Sequence, residues 1–401
     1  MLADDLGTFI VVLDQRKALW ASSIPNISFL YRISEDTFRD AIARVDKILY
    51  SWNSWFDDYP YQIDSQVILY RSILERAHNE YRILFQQQEQ LLSNGTFCRS
   101  IAAAFGRMTT AQNLELLESD YVLCAPAWEL HELANDNEIL QKSMLQPIDW
   151  DDTRIHNLGE LPGNALTRLP GAMHEAGSMI TTLDIHLPAL EDCSPLTSTM
   201  SNLQSVTASI QRLKSFSFSM RSLKYQESRP TILPHQAVEL ALFLNALLDT
   251  DSLETISISF ETLWSLDDPP EFSLGSLISS RRWRKLKSFS GAGIPLHVAA
   301  LAFFVKNLPN CVEKIDLDYP YLLTGSWAEV LDVLRECAVH VTLHDPCGAE
   351  CADMSWEERS AILSSLARGS RYSPAELYLM KLTDRNPVER WCVEMRQAYG
   401  A

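Results

Sequence analysis

Glycine and basic residues are both scarce in this chain, and each shortage excludes a class of protein. Only 14 of the 401 residues are glycine and 18 are proline, which excludes collagen-like and linker compositions. Lysine and arginine number 34 against 52 aspartate and glutamate, a formal net charge of −18. This surplus repels phosphate backbones and anionic lipid, so we expect neither nucleic acid nor a membrane as a partner. With 46% hydrophobic residues, the composition is still that of a folded globular protein.

Long apolar runs and dense cysteine patterns are also missing. The strongest apolar stretch, residues 296–305, is too short to span a bilayer. Asp4 and Asp5 stand where a signal peptide needs positive charge. The eight cysteines are scattered, which favours reduced thiols over a disulfide scaffold. We therefore expect a cytoplasmic or nuclear protein.

Linear catalytic motifs are absent as well. The chain contains no G-x-S-x-G elbow, no G-x-x-x-x-G-K-[ST] loop, no G-x-G-x-x-G turn and no H-E-x-x-H pair. We predict no enzyme, no catalytic residue and no cofactor. An enzyme with dispersed acid and base residues, a hydrolase or transferase, stays open as the alternative because carboxylate pairs need no linear motif.

Residues 1–107 form a mainly helical N-terminal region in this interpretation. Apolar residues recur at helical spacing within 65–92, and Ser34 is a suitable N-cap for a helix over 34–50. A shorter helix is predicted around 102–105.

Residues 108–401 change character, because short strand-like runs alternate with helical ones. The helical runs lie at 236–248, 296–308, 327–334 and 356–366, and the last two follow capping boxes. Recurrence at roughly 25–40 residues is typical of solenoids. The strand-like runs centre on Leu183, Phe216, Ile256, Phe289, Ile315, Val341 and Leu377, with successive gaps of 33, 40, 33, 26, 26 and 36.

The fold class predicted is α/β, an irregular leucine-rich-repeat-like solenoid that continues from the helical region. The alternative is a doubly wound α/β sheet. Polar residues interrupt the apolar ones in these strands, whereas a sheet covered on both faces reads as a continuous apolar run. No strand leads into a glycine-rich phosphate turn either.

Three segments resemble a known family. Residues 81–95, 101–108 and 113–116 read as a helix with an E-x-L-L-x-x-G-like turn, a small helix and a strand, and 308–315 (LPNCVEKI) repeats the strand start. This is similar to the divergent leucine-rich-repeat proteins of filamentous fungi, many of which are identified as F-box proteins. The resemblance implies a role as a substrate receptor in ubiquitin ligation.

An F-box itself is not evident. The nearest text, 24–30 (IPNISFL), lacks the acidic residue of an L-P-x-E-like start. We therefore expect no Skp1-type adaptor as a partner, and an unknown protein partner instead.

The partner surface is predicted on the outward residues of the late strands. Period-2 alternation places polar residues there, and aromatic residues follow the strands. The candidates are Lys314, Asp316, Asp318, Tyr319, His340, His344, Glu376 and Tyr378. Tyr321 and Trp264 follow their strands in the same way.

Two other clusters contain residues of the types found in binding sites. His344, Cys347 and Cys351 are metal-capable, but their spacing is not that of a zinc finger and a fourth ligand is missing, so no metal is predicted. The basic run 281–287 is interpreted as a solvated helix end before a strand, where cations suit the helix dipole, rather than as a binding site for RNA or an acidic peptide.

Overall fold

The computed structural model of the chain forms two compact units. The smaller comprises residues 1, 11–104 and 117–158, and the larger comprises 2–10, 105–116 and 159–401. The residues that the structure describes are 8–12, 18–21, 24–28, 83, 90–91, 94–108, 112–117, 160–188, 193–197, 200–221, 233–260, 270–279, 281–337, 339–363 and 372–399.

Strands and helices alternate along the larger unit. The described strands of the chain are β1 Thr8–Val12, β2 Ala18–Ala21, β3 Ile24–Ser28, β4 Asn113–Leu117, β5 Thr182–Pro188, β6 Ser215–Arg221, β7 Thr255–Ser259, β8 Ser288–Ala292, β9 Pro295–His297, β10 Lys314–Asp318, β11 Tyr321–Thr324, β12 His340–His344 and β13 Cys347–Gly348. The described helices are α1 Thr96–Gly106, α2 Glu160–Glu175, α3 Met200–Ser209, α4 Pro234–Leu247, α5 Ser276–Ser279, α6 Val298–Lys306, α7 Trp327–Arg335, α8 Trp356–Leu363, α9 Pro374–Leu379 and α10 Pro387–Tyr399.

The main sheet follows chain order from one edge to the other. Its order is β1-β4-β5-β6-β7-β8-β10-β12, and every neighbouring pair from β5 to β12 is parallel. A second sheet joins β13, β11 and β9 in parallel, and β2 pairs with β3 in an antiparallel hairpin. Parallel neighbours need a crossover, which the helices supply.

One face of the main sheet is buried and the other is partly exposed. In β10, Ile315 and Leu317 are buried while Asp316 between them is accessible, and β7 and β12 show the same alternation. On the buried side, the ring of Phe289 packs 4.9 Å from that of Phe304 on α6. From α2 to α7, each helix contacts the next helix in the chain. We call the accessible side the open face.

The last three strands of the main sheet recur at a constant interval, since they begin at Ser288, Lys314 and His340. Each of these strands is followed by a two-residue turn and then by a strand of the second sheet. The first turn residues, Gly293, Tyr319 and Asp345, have φ of 63°, 45° and 40°. Glycine adopts this left-handed conformation freely, whereas a bulky residue such as tyrosine loses about 1–2 kcal/mol.

A ladder of backbone hydrogen bonds joins the starts of successive strands. The amide of Lys214 donates to Thr181 O at 2.8 Å, Glu254 to Lys214 O at 2.7 Å, Lys287 to Glu254 O at 2.8 Å and Glu313 to Lys287 O at 2.7 Å. The side chains of the four donor residues alternate in charge, in the order Lys214, Glu254, Lys287 and Glu313. Lys287 Nζ lies 2.6 Å from Glu254 Oε2, so two of them form an ion pair.

The C-terminal helices pack against α7 through a polar network. Asp332 Oδ1 accepts hydrogen bonds from the Tyr378 hydroxyl at 2.7 Å and from Asn386 Nδ2 at 2.9 Å. The guanidinium of Arg335 lies 4.1 Å from the centre of the Tyr378 ring. Helix α9 also contacts β12, the edge strand of the sheet.

Most predicted elements of the C-terminal region are confirmed. Six of the predicted strands lie in the main sheet as β5, β6, β7, β8, β10 and β12, and the four predicted helices appear as α4, α6, α7 and α8. The capping boxes Ser326–Glu329 and Ser355–Glu358 are also present.

The seventh predicted strand, around Leu377, is wrong because the segment is helix α9. Ser373 Oγ accepts from the Glu376 amide at 3.1 Å, and the Glu376 carboxylate accepts from the Ser373 amide at 2.6 Å. Pro374 occupies the first helical turn. This capping box and proline favour a helix over the apolar alternation of Leu377 and Leu379.

The mainly helical region 1–107 stays a prediction. Its described parts are the three strands β1 to β3 and helix α1, which contains the helix expected at 102–105. The helix expected over 34–50 lies outside the described residues, as does nearly all of 65–92. Among the described helices, none combines the length and apolar character needed to cross a membrane.

Candidate functional site

The strand register arranges the open face into three rows of side chains. Each row crosses β5, β6, β7, β8, β10 and β12 in that order. The rows are Thr182, Ser215, Thr255, Ser288, Lys314 and His340; then Asp184, Ser217, Ser257, Ser290, Asp316 and Thr342; then His186, Ser219, Ser259, Ala292, Asp318 and His344.

The centre of the open face is a floor of small hydroxyl side chains. Strands β6, β7 and β8 contribute serine or threonine at every position of the three rows except Ala292. Ser219 is buried, whereas Thr255 is exposed. Since hydroxyls both donate and accept hydrogen bonds, this floor can pair with either polar group of a peptide backbone.

The C-terminal flank of the face holds five of the predicted partner-binding residues. Lys314, Asp316 and Asp318 lie on β10, and His340 and His344 lie beside them on β12. Lys314 Nζ pairs with Asp316 Oδ2 at 2.7 Å, and the Thr342 hydroxyl donates to the other oxygen of Asp316. The register brings these residues together as predicted, while their binding role stays a prediction.

Tyr319 projects from the turn just beyond this flank. Its side chain is 48% exposed despite the left-handed backbone at that position. Partial burial and the neighbouring Asp345 and Asp318 carboxylates raise the pKa of the Tyr319 hydroxyl. The ring is therefore held beside two acids at the carboxyl end of the strands.

The other two predicted residues do not lie on the face. Glu376 and Tyr378 belong to helix α9, where they are 6% and 7% exposed. Glu376 closes the capping box, and Tyr378 donates to Asp332. Both have structural contacts, so the expected outward position on a strand is wrong. Tyr321 begins β11, and Trp264 lies outside the described residues.

A second titratable group, missed by the sequence interpretation, lies at the opposite flank. Asp184 and His186 occupy β5, and Glu115 occupies the neighbouring β4. Burial raises the pKa of Asp184, and burial together with the Asp184 charge raises the pKa of Glu115, while His186 opposes both shifts. The alternation of Leu183, Asp184 and Ile185 was the available signal, since it places the acid opposite the core.

In the metal-capable cluster near the C terminus, His344 lies on β12, and Cys347 and Cys351 are buried free cysteines. The Cys347 thiol donates to Asp345 O at 3.3 Å, and burial raises its pKa to about 11. Burial and the neighbouring Cys347 raise the pKa of Cys351 further. No group of three or more histidine, cysteine or acidic side chains among the described residues has an arrangement that could hold a metal ion.

The basic run 281–287 lies between α5 and β8 and is partly paired. Arg281 forms an ion pair with Asp249, and Lys287 pairs with Glu254. Trp283 is buried and donates from Nε1 to Leu248 O at 3.1 Å. The remaining cations of the run, Arg282, Arg284 and Lys285, are exposed.

A groove of about 520 Å³ lies on the helical side, between α3 and α4. Leu203, Leu242 and Ala246 contribute apolar surface, and the Asp249–Arg281 pair lies at its polar end. It does not include the titratable residues of the open face.

The chain has no match among protein-family models, and no significant match among curated proteins or solved structures.

Proposed function

We propose that this chain is a non-catalytic protein-binding solenoid of the leucine-rich-repeat type, which binds a protein partner through its open face. The observation that carries the proposal is the strand order, which follows chain order without reversal. Doubly wound sheets reverse order at a switch point and carry helices on both faces. Right-handed crossovers in a single direction put every connecting helix on one side, which leaves the other side accessible.

The periodic turns support stacked repeats. Gly293, Tyr319 and Asp345 share one backbone conformation at equal intervals, and the interval falls within the roughly 20–29 residues of a leucine-rich repeat. The contact of each helix with the next is the nearest-neighbour packing of a solenoid. The network that holds α9 and α10 on α7 provides the terminal cap that repeat arrays require.

Within the open face, the C-terminal flank is the proposed binding surface. Lys314, Asp316, Asp318, His340 and His344 supply charge and hydrogen bonding on adjacent strands. Tyr319 is the proposed anchor, because exposed tyrosines often dominate binding energies. Its left-handed backbone costs stability, and a binding role accounts for a tyrosine in this conformation.

The resemblance to fungal F-box proteins supports a more specific proposal, recognition of substrates for ubiquitin ligation in the cytoplasm or nucleus. Because no F-box is evident in the sequence, we expect the chain not to co-purify with a Skp1-type adaptor. Stoichiometric co-purification of the adaptor with the full chain would show that an adaptor-binding segment is present.

The binding role is tested by capture of the partner with a surface variant. The triple variant Lys314→Ala, Tyr319→Gly and His340→Ala should lose most of the captured partner, since it removes the anchor and two exposed charged or polar groups. Glycine at 319 suits the positive φ, so the melting temperature should hold. The matched control is the triple variant Arg282→Ala, Lys285→Ala and Glu313→Ala, all exposed outside the open face. Equal capture by both variants would overturn the proposal.

One observation favours the enzyme alternative. Glu115 and Asp184 lie on adjacent strands beside His186, and both carboxyl pKa values are raised, as a general acid requires. This alternative predicts turnover of a hydrolysable substrate that Asp184→Asn abolishes. Stoichiometric binding without turnover, in both the wild type and the Asp184→Asn variant, supports the non-catalytic binding function.

A further inference from the structure

The basic run 281–287 is anchored to the helical side of the sheet by its apolar residues. Trp283 and Leu286 are both buried. Trp283 Nε1 donates to Leu248 O at 3.1 Å, at the end of α4. The Trp283 ring also meets that of Phe304 on α6 edge-on, with the ring centres 6.4 Å apart. The segment is therefore held in place by contacts that do not involve its cations.

Three cations of this anchored segment lie in solvent. Arg282, Arg284 and Lys285 are exposed, and none forms an ion pair with a described residue. The sequence predicts a helix end here, but α5 ends at Ser279 and none of residues 281–287 is helical. A helix dipole acts only near its last turn, so it does not account for Arg284 and Lys285. Neighbouring like charges repel one another, and an anionic ligand relieves that repulsion.

A further lysine extends this group across the strand starts. The backbone ladder places Lys214, Glu254 and Lys287 at successive starts. The hydrogen bond from Lys287 lowers the pKa of Glu254, and the charges of Lys214 and Lys285 lower it further, so three lysines share one carboxylate. Lys287 forms the ion pair, while Lys214 and Lys285 are exposed and have no ion pair among the described residues.

This part of the molecule is positive although the chain is negative as a whole. We call the segments 211–214, 249–254, 281–287 and 310–313, which lead into β6, β7, β8 and β10, the basic edge. They contain seven basic and four acidic residues, a net charge of +3, whereas the whole chain carries −18. A local reversal of sign attracts a ligand of the opposite charge.

We propose that the basic edge binds an acidic segment of a second protein partner, separate from the partner of the open face. Arg282 and Arg284 pair with its carboxylates, to which a guanidinium offers two parallel N–H donors. Lys214 and Lys285 add point charges. The inference goes beyond the proposed function, because none of these four residues belongs to the three rows of the open face.

The spacing of the cations indicates the length of the acidic segment. Lys214 and Lys287 precede β6 and β8, which are two strand steps, about 10 Å, apart. An extended peptide covers this distance in about three residues. A run of about four to six acidic residues therefore reaches both Lys214 and the anchored segment. A nucleic acid is disfavoured, because its phosphates would also meet the negative charge of the rest of the chain.

The test is a titration of the full chain with labelled peptides at about 50 mM salt, where screening is weaker than at physiological ionic strength. The probe is a nine-residue peptide that contains four consecutive glutamates. Its control has four glutamines in their place. We expect the glutamate peptide to bind about tenfold more tightly than the glutamine peptide.

A triple variant places the glutamate peptide on the basic edge. Arg282→Ala, Arg284→Ala and Lys285→Ala together should weaken binding about tenfold. The melting temperature should hold, because all three side chains are exposed. The matched control removes three exposed arginines elsewhere and should bind as the wild type does. It combines Arg168→Ala, Arg385→Ala and Arg390→Ala.

A single substitution should change binding in the opposite direction. Glu254→Gln removes a carboxylate that competes with the ligand, and it frees Lys287. Binding of the glutamate peptide should become about threefold tighter. Glu389→Gln, which removes an exposed carboxylate on α10, should leave binding unchanged.

The outcomes separate this inference from the proposed function. It is overturned if the two peptides bind alike, if the two triple variants bind alike, or if Glu254→Gln does not tighten binding. A five-nucleotide oligothymidine that binds more tightly than the glutamate peptide and displaces it would assign the basic edge to nucleic acid, and would also overturn the inference. Capture through Lys314, Tyr319 and His340 does not depend on the basic edge, so intact capture without acidic-peptide binding contradicts this inference alone.

Discussion

The C-terminal repeats, residues 288–363, and the middle repeats, residues 182–287, share one sheet but differ in period and chemistry. The C-terminal strands recur at one short, constant interval, each with a turn residue of positive φ and a second short strand. The middle strands are separated by longer and unequal stretches of sequence, and no strand of the second sheet follows them among the described residues. On their open face, β6 and β7 carry hydroxyls and β5 carries Asp184 and His186, whereas β10 and β12 of the C-terminal region carry Lys314, Asp316, Asp318, His340 and His344.

This difference indicates that the main sheet and the second sheet place different requirements on the sequence. The backbone ladder at the strand starts runs through both regions, so sheet formation does not depend on repeat length. The second sheet occurs with the short repeats, where the turn after each main-sheet strand places the next short strand beside that of the neighbouring repeat. Close approach demands small side chains, and Gly348 on β13 lies against the backbone of Leu322 on β11.

The largest effect is expected from Gly348→Ala, which tests whether the second sheet is integral to the C-terminal repeats. A Cβ at this position would stand 2.4 Å from Leu322 O, at a φ of 74°. We expect a loss of about 2–4 kcal/mol in the free energy of unfolding, from the left-handed conformation and the overlap together. Chemical denaturation measures the loss, and amide exchange at 321–324 should accelerate.

Gly291→Ala is the matched control for this prediction. Its Cβ would meet Ile294 Cδ1 at 2.8 Å and Phe289 Cε1 at 3.1 Å, which are ends of buried side chains rather than backbone atoms. We expect a smaller loss, about 1–2 kcal/mol. If Gly348→Ala were as mild as Gly291→Ala, the second sheet would be an incidental feature of the short repeats.

A smaller effect is expected from Ser373→Ala, which tests the cap of the C-terminal region. Ser373 and Glu376 are both buried, so the substitution leaves the buried Glu376 amide without its hydroxyl acceptor, while the Ser373 amide still donates to the Glu376 carboxylate. The expected loss is about 1–2 kcal/mol. Ser326→Ala removes the same type of cap where it is exposed, at the start of α7, and should cost about 0.5–1 kcal/mol. Equal losses would mean that burial of the cap adds nothing.

The sequence predicted the regular parts of the fold because alternation and capping are local signals. Leu183, Phe216 and Ile256 were recognised as strand centres, and Ser326 and Ser355 as helix starts. The second sheet was missed because β9, β11 and β13 have only two to four residues, too few to show a period. Segment 373–379 was predicted as a strand rather than a helix, because the alternation of Leu377 and Leu379 was interpreted without the Ser373–Glu376 capping box.

The sequence predicted residues of the candidate site only on strands in which alternating apolar residues identified the outward positions. Lys314 and His340 became neighbours through register, which the equal spacing of the last strands already indicated. The proximity of Glu115 and Asp184 was not predictable, because helix α2 lies between them in the chain and only the pairing of β4 with β5 brings them together. Exposure of Tyr319 at a positive φ likewise depends on the turn that the packed strands impose.

The smallest effects compare two carboxylates of the middle repeats, one on the open face and one at the strand starts. Burial raises the pKa of Asp184, whereas the hydrogen bond from Lys287 lowers that of exposed Glu254. An acid whose pKa is raised by folding lowers the stability as the pH rises from its unfolded pKa to its folded pKa. An acid whose pKa is lowered by folding stabilises the protein above its unfolded pKa, and this stability is lost as the pH falls through its folded pKa.

Asp184→Asn should therefore raise the free energy of unfolding at pH 7, with the gain disappearing below the unfolded pKa of an aspartate. Glu254→Gln should lower it slightly at pH 7, with the loss disappearing in acid. Urea denaturation between pH 3 and pH 7 gives the two difference curves, and they should have opposite signs. Curves of the same sign would mean that burial of Asp184 on the open face does not penalise its charged form relative to that of a carboxylate at the strand starts.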